Sequence, residues 1–474
     1  MLGTLVLVYI LTTSLFGVYV ARKVHTTAGF ASANRSLPLP VATATVFATW
    51  FGSESILGIP AAFANHGVIG VLSDPIGACL CLIIMGLFFA KTYYNLNVLT
   101  IGDFIKHKYG HFAERTISLA IACSYLGWMA AQFMAFGYVM NLITDGTLSF
   151  NHAIMLGALI TICYNYNGGM MSVAFNDFIH AIMTIMGLLY TLYLVTHSDH
   201  TFWSTVHTAI TDSSYQFRYD KEYPNIFSVI TVVFAMILGT IPQQDTFQRI
   251  ISSKDAATAR ASAILGGVVY LAVTIMPILI MVAVLSDPNQ ATLLANQPTK
   301  ELYMMHYIIN TVPMFVQVLF LGGVFAAILS SIAGTTLASS VIFSKNVVIS
   351  MYPHIHTLIA MRVGLVCSVC LSAGLAIFST KSIHSLVENS GNATMTIAFA
   401  PLVAGLFWKK ATTPGAIASS VGGALTWGGL EAYSFFADHE FFIPEALVAL
   451  VVSVSLMIVI SLITFRPPHH QKAD

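Results

Sequence analysis

Acidic residues are conspicuous in a chain that is 57% hydrophobic and only 8% charged. Glu54 sits between Ser53 and Ser55 inside an apolar run interrupted by Gly52, Gly58 and Pro60. An unpaired carboxylate at such depth is expensive, so it either pairs with a cationic ligand or hydrogen-bonds the interrupted backbone. Asp177, after Asn176 in another apolar run, either draws a cation inward or caps a helix turn. Asp74 precedes Pro75 and either caps a local break or reaches a ligand. Trp50 and Trp128 offer aromatic faces that attract an ammonium group, or they pack as most membrane Trp do. Gln132 is one helical turn from Trp128 and presents its amide on the same face. Gln243 and Gln244 follow a Gly239-Thr240-Ile241-Pro242 interruption, and Glu388 stands beside Asn389, Gly391 and Asn392. These polar groups either contact a solute or, for the Gln pair, end a helix at water.

A different chemistry is written into Ala327, Ser330 and Ser331. Their i,i+3 and i,i+4 spacing puts one carbonyl and two hydroxyls on one helix face, the hard oxygen donors that an alkali cation takes. The competing reading is that small residues let helices approach and Ser bonds its own helix. No set of nucleophile and base and no metal motif suggests an enzyme. Cys367 and Cys370 have no second Cys or His pair nearby, so all six Cys are expected to pack within spans without disulfides. Zero net charge and the absence of a basic run give no reason to expect nucleic acid.

The elements that position these residues are apolar stretches of about 20 residues, long enough to cross a bilayer. Backbone groups at that depth must be satisfied internally, which selects helices. Thirteen spans are expected, at 2–22, 39–64, 67–91, 113–142, 151–166, 171–196, 225–245, 257–286, 311–345, 357–379, 382–408, 413–435 and 443–465. The first lacks a positive n-region, so it reads as a retained helix and not a signal peptide. An outside N-terminus leaves sixteen of the twenty Lys and Arg in cytoplasmic loops, with Arg218, Lys221, Lys300 and Lys381 outside, and makes the C-terminus cytoplasmic. The predicted class is an all-α polytopic membrane protein with the lipid bilayer as its solvent, in the plasma or inner membrane.

The interrupted second and seventh spans lie five apart. Residues 39–196 and 225–408 therefore read as two five-helix units of opposite orientation, the inverted repeat of many secondary transporters. Residues 1–38 add a helix and loop before them, and 409–474 add two helices and a tail. No selectivity-filter motif or charge ring indicates a channel. The tail after Phe465 is short for a signalling domain, which disfavours a sensor.

Several separated motifs carry a resemblance to a known family. Ala48-Thr-Trp-Phe-Gly-Ser-Glu-Ser-Ile-Leu-Gly58, Tyr166-Asn-Gly-Gly-Met-Met-Ser-Val-Ala-Phe-Asn-Asp177 and Gly322-Gly-Val-Phe-Ala-Ala-Ile-Leu-Ser-Ser331 resemble, in turn, the broken first core helix, the Gly-Gly…Asp signature and the sodium-site helix of the sodium:solute symporters. The likeness runs from about Arg35 to Lys410 and implies the leucine-transporter-type fold. Leu87-Phe-Phe-Ala-Lys91 and the Ile241-Pro-Gln…Phe247-Gln-Arg…Ser-Ser-Lys254 pattern look most like the high-affinity choline transporter branch.

The resemblance implies sodium as a co-transported ion, held by backbone carbonyls of Ala48, Phe51 and Ala327 and by the hydroxyls of Ser330 and Ser331, with Asp177 near the ion path. It implies a substrate site including Trp50, Glu54, Ser55, Trp128, Gln132, Gln243, Gln244 and Glu388. Choline binders of the family place Trp where Gln243 and Glu388 stand, so the cage keeps only Trp50 and Trp128. That departure suggests a more polar solute. The expected function is sodium-coupled symport of a choline-like cation, zwitterion or amino acid by alternating access. Proton coupling, or a sugar symporter of the same fold, is the alternative.

Overall fold

A computed structural model of the chain describes residues 2–21, 26–198, 203, 206–207, 217, 219–286, 299–437 and 441–466. Among these the regular elements are all helical, apart from one isolated parallel bridge between Leu37 and Ser253. Eight helices are long and apolar enough to cross a membrane, or ten spans if each of two sharply bent helix pairs counts as one. The protein is thus an all-α integral membrane protein.

We number the helices α1 (Leu2–Ala21), α2 (Leu39–Trp50), α3 (Glu54–His66), α4 (Ile69–Asn95), α5 (Ile101–Tyr109), α6 (His111–Ile143), α7 (Phe150–Cys163), α8 (Gly169–His197) and α9 (Ile226–Thr240). They continue as α10 (Gln244–Ser252), α11 (Ala256–Ser286), α12 (Tyr303–Thr311), α13 (Met314–Met351), α14 (Thr357–Phe378), α15 (Ile383–Phe407), α16 (Thr413–Ala437) and α17 (Glu445–Thr464).

Local sequence sets the ends of these elements. Pro38 precedes α2 and Pro40 lies in its first turn, where a missing N–H costs nothing. Thr100 and Asp103 form a capping box at the start of α5, and Asn225 caps α9 by accepting from the Phe227 and Ser228 amides at 2.8 and 3.2 Å. α7 and α8 are separated at Gly169, whose φ of +54° breaks helical geometry.

The two bends fall where Gly52 and the Gly239–Pro242 run interrupt the apolar pattern. α2 meets α3 at 59° and α9 meets α10 at 46°. α13 forms the centre, packed on the Phe150–Ser198 segment, α6 and α2. α11 lies on α2 and α4, α15 lies between α6 and α9, and α16 pairs with α17 at the periphery. Helices surround both breaks, which is what allows non-helical backbone at membrane depth.

Two expectations are corrected. Cys123, Cys163, Cys367 and Cys370 are exposed and not packed, and only Cys79 and Cys81 are buried; an apolar thiol on an outward helix face needs no packing partner. Arg249, counted among loop cations, is fully buried in α10.

Candidate functional site

The break after α2 is the geometric centre of the site. Phe51 leaves the helix with φ −91° and ψ 86°, so the last carbonyls of α2 lose helical partners. Gly52 is required there. A Cβ on it would come within 2.5 Å of Ser331 Oγ, 2.8 Å of Glu54 Oε2 and 2.9 Å of Gln132 Nε2. Three polar side chains from α13, α3 and α6 therefore converge on one small residue. Gln132 holds the turn: its Oε1 accepts from the Ser53 amide at 2.9 Å and its Nε2 donates to Glu54 Oε2 at 2.5 Å. Glu54 is 2% exposed and its other oxygen has no protein partner.

Ser330 and Ser331 point to different partners. Ser331 Oγ is buried beside the break without a hydrogen-bond partner, whereas Ser330 donates to Asp177 Oδ1. Thr45 of α2 donates to the other Asp177 oxygen. A hydroxyl that gives its proton to a carboxylate keeps lone pairs for a cation. Asp177 is fully buried inside α8, eight residues past the break at Gly169, so it does not cap a helix start. Arg249 Nη2 lies 3.9 Å from Asp177 Oδ2, and its Nη1 donates to the Asp245 carbonyl at 3.4 Å. Asp245 Oδ1 in turn accepts from Tyr125 at 2.8 Å. Thr45 and Arg249 were not legible as partners of Asp177 from spacing alone.

Beside the break lies an enclosed cavity of about 20 Å³ lined by Glu54, Ser73, Asp74, Trp128, Val232, Ala235, Met236, Thr240, Gln243, His384, Val387, Glu388 and Gly391. It draws on both bent pairs and on α4, α6 and α15. That volume holds about one water, so the site is closed. Gln243 is 1% exposed, and neither its amide oxygen nor its nitrogen has a protein partner. With Gln244 and Asp245 also buried, this segment does not end a helix at water.

The structure thus gathers Glu54, Trp128, Gln243 and Glu388 around one space. Trp50, Ser55, Gln132 and Gln244 are not among its lining residues. Ser55 lies 3.1 Å from the Trp50 carbonyl and 2.9 Å from the Tyr270 hydroxyl, which donates to Asp74 Oδ1 at 2.5 Å. Trp50 packs edge-on to Tyr270 at 6.3 Å. Gln244 accepts from the Ile101 amide at 2.9 Å and donates to the Leu99 carbonyl at 3.2 Å, anchoring α5. Tyr270 and His384 join the site without having been singled out in the sequence.

Polar contacts flank the cavity on both sides. On one face, His66 meets Asp220 at 2.6 Å and Glu222 at 3.0 Å, and Lys300 donates to the Ala64 carbonyl at 2.8 Å. The hydrogen bond from His66 holds the Glu222 carboxyl below its ordinary range. Two open vestibules of about 340 and 460 Å³ reach Glu388 and His384 from this side. On the opposite face, the Leu37 amide donates to the Ser252 carbonyl and the Lys254 amide to the Leu37 carbonyl, each at 3.0 Å. Arg35 adds bonds to the carbonyls of Tyr94 and Ile251 and stacks on the Tyr94 ring at 4.2 Å.

The arrangement has relatives. High affinity choline transporter 1 of Homo sapiens is 27% identical over 433 residues, covering 86% of this chain and 72% of that protein. The sodium/pantothenate symporter of Escherichia coli (strain K12) is 23% identical over 430 residues, covering 88% and 87%. In three dimensions, a substrate-bound, outward-open sodium-coupled sialic acid symporter superimposes with a TM-score of 0.82 at 18% identity, over 98% of both chains. A nucleobase-cation-symport-1 family transporter in a closed conformation gives a TM-score of 0.62 at 13% identity, over 93% of this chain and 96% of that one. At these identities the structural likeness speaks for the fold alone. The profile of the sodium:solute symporter family matches residues 30–423. The chain therefore belongs to the sodium:solute symporter family: it is a membrane transporter and not an enzyme, and its activity is sodium-coupled symport of a solute.

Proposed function

We propose that the sodium ion is held between the carbonyls of Ala48, Phe51 and Ala327 and the hydroxyls of Ser330 and Ser331, with Asp177 on the path by which it leaves. The observation that carries this reading is Ser331 Oγ, buried and without a protein partner beside the α2 break. A buried hydroxyl left unpaired costs about 1–3 kcal/mol, and a cation shared with carbonyls that lack helical partners offsets that cost. Asp177, tied to Ser330 and Thr45 and facing Arg249, links the ion to a buried charge pair.

The solute occupies the cavity bounded by Glu54, Trp128, Gln243 and Glu388, an expanded form of the closed space described above. Trp50, Ser55 and Gln132 shape its wall from behind. A small organic cation or zwitterion fits the acceptor-rich lining and the aromatic face of Trp128. Transport proceeds by alternating access: the His66 contacts and the Arg35 contacts open in turn, the first toward the outside and the second toward the cytoplasm.

This assignment of faces follows the thirteen-span topology with an outside N-terminus, in which residues 39–196 and 225–408 form the two inverted repeats. Helices α1, α7 and α16 complete the count beyond the ten spans set by length and apolarity. The plasma or inner membrane is where such a transporter would work. The test is uptake into proteoliposomes of a panel of choline, betaine, proline, other amino acids and sugars. Replacing sodium by potassium at constant proton gradient collapses uptake if sodium is the coupling ion; unchanged uptake points to protons or facilitated diffusion.

A further inference from the structure

The cavity described above has a composition that narrows its ligand further than a choline-like or zwitterionic solute. We propose that it selects a small cation with N–H donors and a neutral polar tail, a primary ammonium without a carboxylate, over quaternary ammonium ions and over amino acids. This rests on the reading of the cavity as the solute site.

Three carboxylates, Glu54, Asp74 and Glu388, line the space, and no Lys or Arg is among the described lining residues. A ligand carboxylate would enter next to three acids with no guanidinium or ammonium to receive it, which disfavours zwitterions. A cation is favoured on charge, but charge alone does not separate an ammonium from its N-methylated form. Hydrogen bonding does. Glu54 Oε1 and Gln243 Oε1 are buried acceptors without protein partners. An N–H ammonium can donate to both, whereas a trimethylammonium has no N–H and would leave them unpaired in a desolvated site.

The remaining orphans call for the tail. Trp128 Nε1 and Gln243 Nε2 are buried donors with no protein partner, and the His384 Nε2 beside them has none either; a hydroxyl or carbonyl on the ligand can accept from the donors without bringing negative charge. Position reinforces composition. A Cβ on Gly58 would lie 3.7 Å from the Glu54 Cβ and 3.9 Å from the His384 Cβ, so Glu54 stands where α3 faces α15. Ser390, on the same helix as Glu388, donates to the Ser124 carbonyl at 2.5 Å, which fixes α15 against α6. The site is thus built from helices locked to one another and not from a surface cluster.

Ethanolamine and choline make the discriminating pair, because they share charge and hydroxyethyl tail and differ only in N–H against N-methyl. Glycine adds the carboxylate. Thermal stabilisation of the purified transporter in sodium reads binding directly, since a ligand that binds the folded state raises its melting temperature. Ethanolamine is expected to bind about tenfold or more tightly than choline, the effect of one charge-assisted hydrogen bond, and glycine least of the three. Gln243→Leu and Glu54→Gln should each shrink the preference of ethanolamine over choline, while Gln243→Leu keeps sodium-induced stabilisation. Equal or tighter binding of choline, tighter binding of glycine or betaine, or no stabilisation by ethanolamine overturns the proposal. Sodium-driven uptake of choline or betaine in that case would leave sodium symport through this cavity standing, whereas loss of sodium dependence for every solute would overturn the underlying reading instead.

Discussion

Ser331 and Gly52 meet at the proposed ion site: a Cβ on Gly52 would come within 2.5 Å of Ser331 Oγ. The hydroxyl of α13 therefore sits in the notch left by a residue without a side chain, at the point where α2 stops being a helix. Removing that notch should do damage out of proportion to one methyl group. Gly52→Ala is expected to lose stability by about 1–3 kcal/mol through overpacking, with sodium-driven uptake falling at least about tenfold. A thermal melt of the purified variant together with uptake per folded molecule checks both parts; wild-type values in both would mean the two helices are not held at this separation.

The buried Asp177–Arg249 pair should behave as a unit. Asp177→Ala leaves the guanidinium only Asp245, whose carbonyl it meets at 3.4 Å and whose carboxylate it faces, and breaking a buried pair from one side costs about 3–5 kcal/mol. Poor membrane yield is expected for Asp177→Ala and for Arg249→Ala. Asp177→Asn combined with Arg249→Gln removes both members of the pair, leaving buried Asp245 without its cationic neighbour, and should restore yield in part but not sodium affinity. Yield from size-exclusion profiles and sodium titrations separates the outcomes. A double variant no better folded than either single change would show that the two groups do not compensate each other.

Trp128 faces the solute cavity, while Trp50 is packed on Tyr270. Trp128→Ala should raise the solute KM by about tenfold or more while leaving sodium-induced stabilisation intact. Trp50→Ala should weaken solute binding as well, through the loosened wall. Unchanged KM and affinity in both variants would remove the aromatic part of the site.

The orientation can be read by labelling. With an outside N-terminus, cysteines substituted at Lys381 and at Lys108 face opposite sides. A membrane-impermeant thiol reagent applied to intact cells should label the first and spare the second, against a background without the native thiols. Labelling of the pair from one side would exclude the thirteen-span arrangement.

Much of this site was legible because it violates its surroundings. Gly52, Glu54 and the Gly239–Pro242 run interrupt apolar stretches, and the helices break at both places. Ser330 and Ser331 follow Ala327 at helical spacing on a small-residue face, and the residue type that names the ion is the same one that allows close packing. What the pattern could not supply was long-range pairing. Tyr270 lies in an uninterrupted apolar run, and its partner Asp74 is 196 positions away. Arg249 follows a polar stretch that reads as a loop, yet it is buried against Asp177 and Asp245. Adjacent Gln243 and Gln244 have the same chemistry, and only the extended backbone of Gln243, with φ −77° and ψ 136°, sends the two amides to different neighbours. Which of two identical side chains meets the cavity is a property of that turn and not of composition.

The measurement that bears most directly on sodium coupling through this site is the sodium activation of uptake in Ser331→Ala, with Ser330→Ala beside it, both reconstituted at known orientation and density. Each variant removes one oxygen: Ser331→Ala loses no hydrogen bond and should fold close to normally, and Ser330→Ala loses one donor to Asp177, which keeps Thr45. Half-maximal uptake should require about tenfold more sodium or beyond, a loss of roughly 1.4 kcal/mol or more in ion binding. Solute affinity should fall at limiting sodium and recover at saturating sodium, because coupling between two bound species is reciprocal. A sodium activation curve superimposable on that of the unmodified protein in both well-folded variants would contradict the assignment of these hydroxyls to the ion.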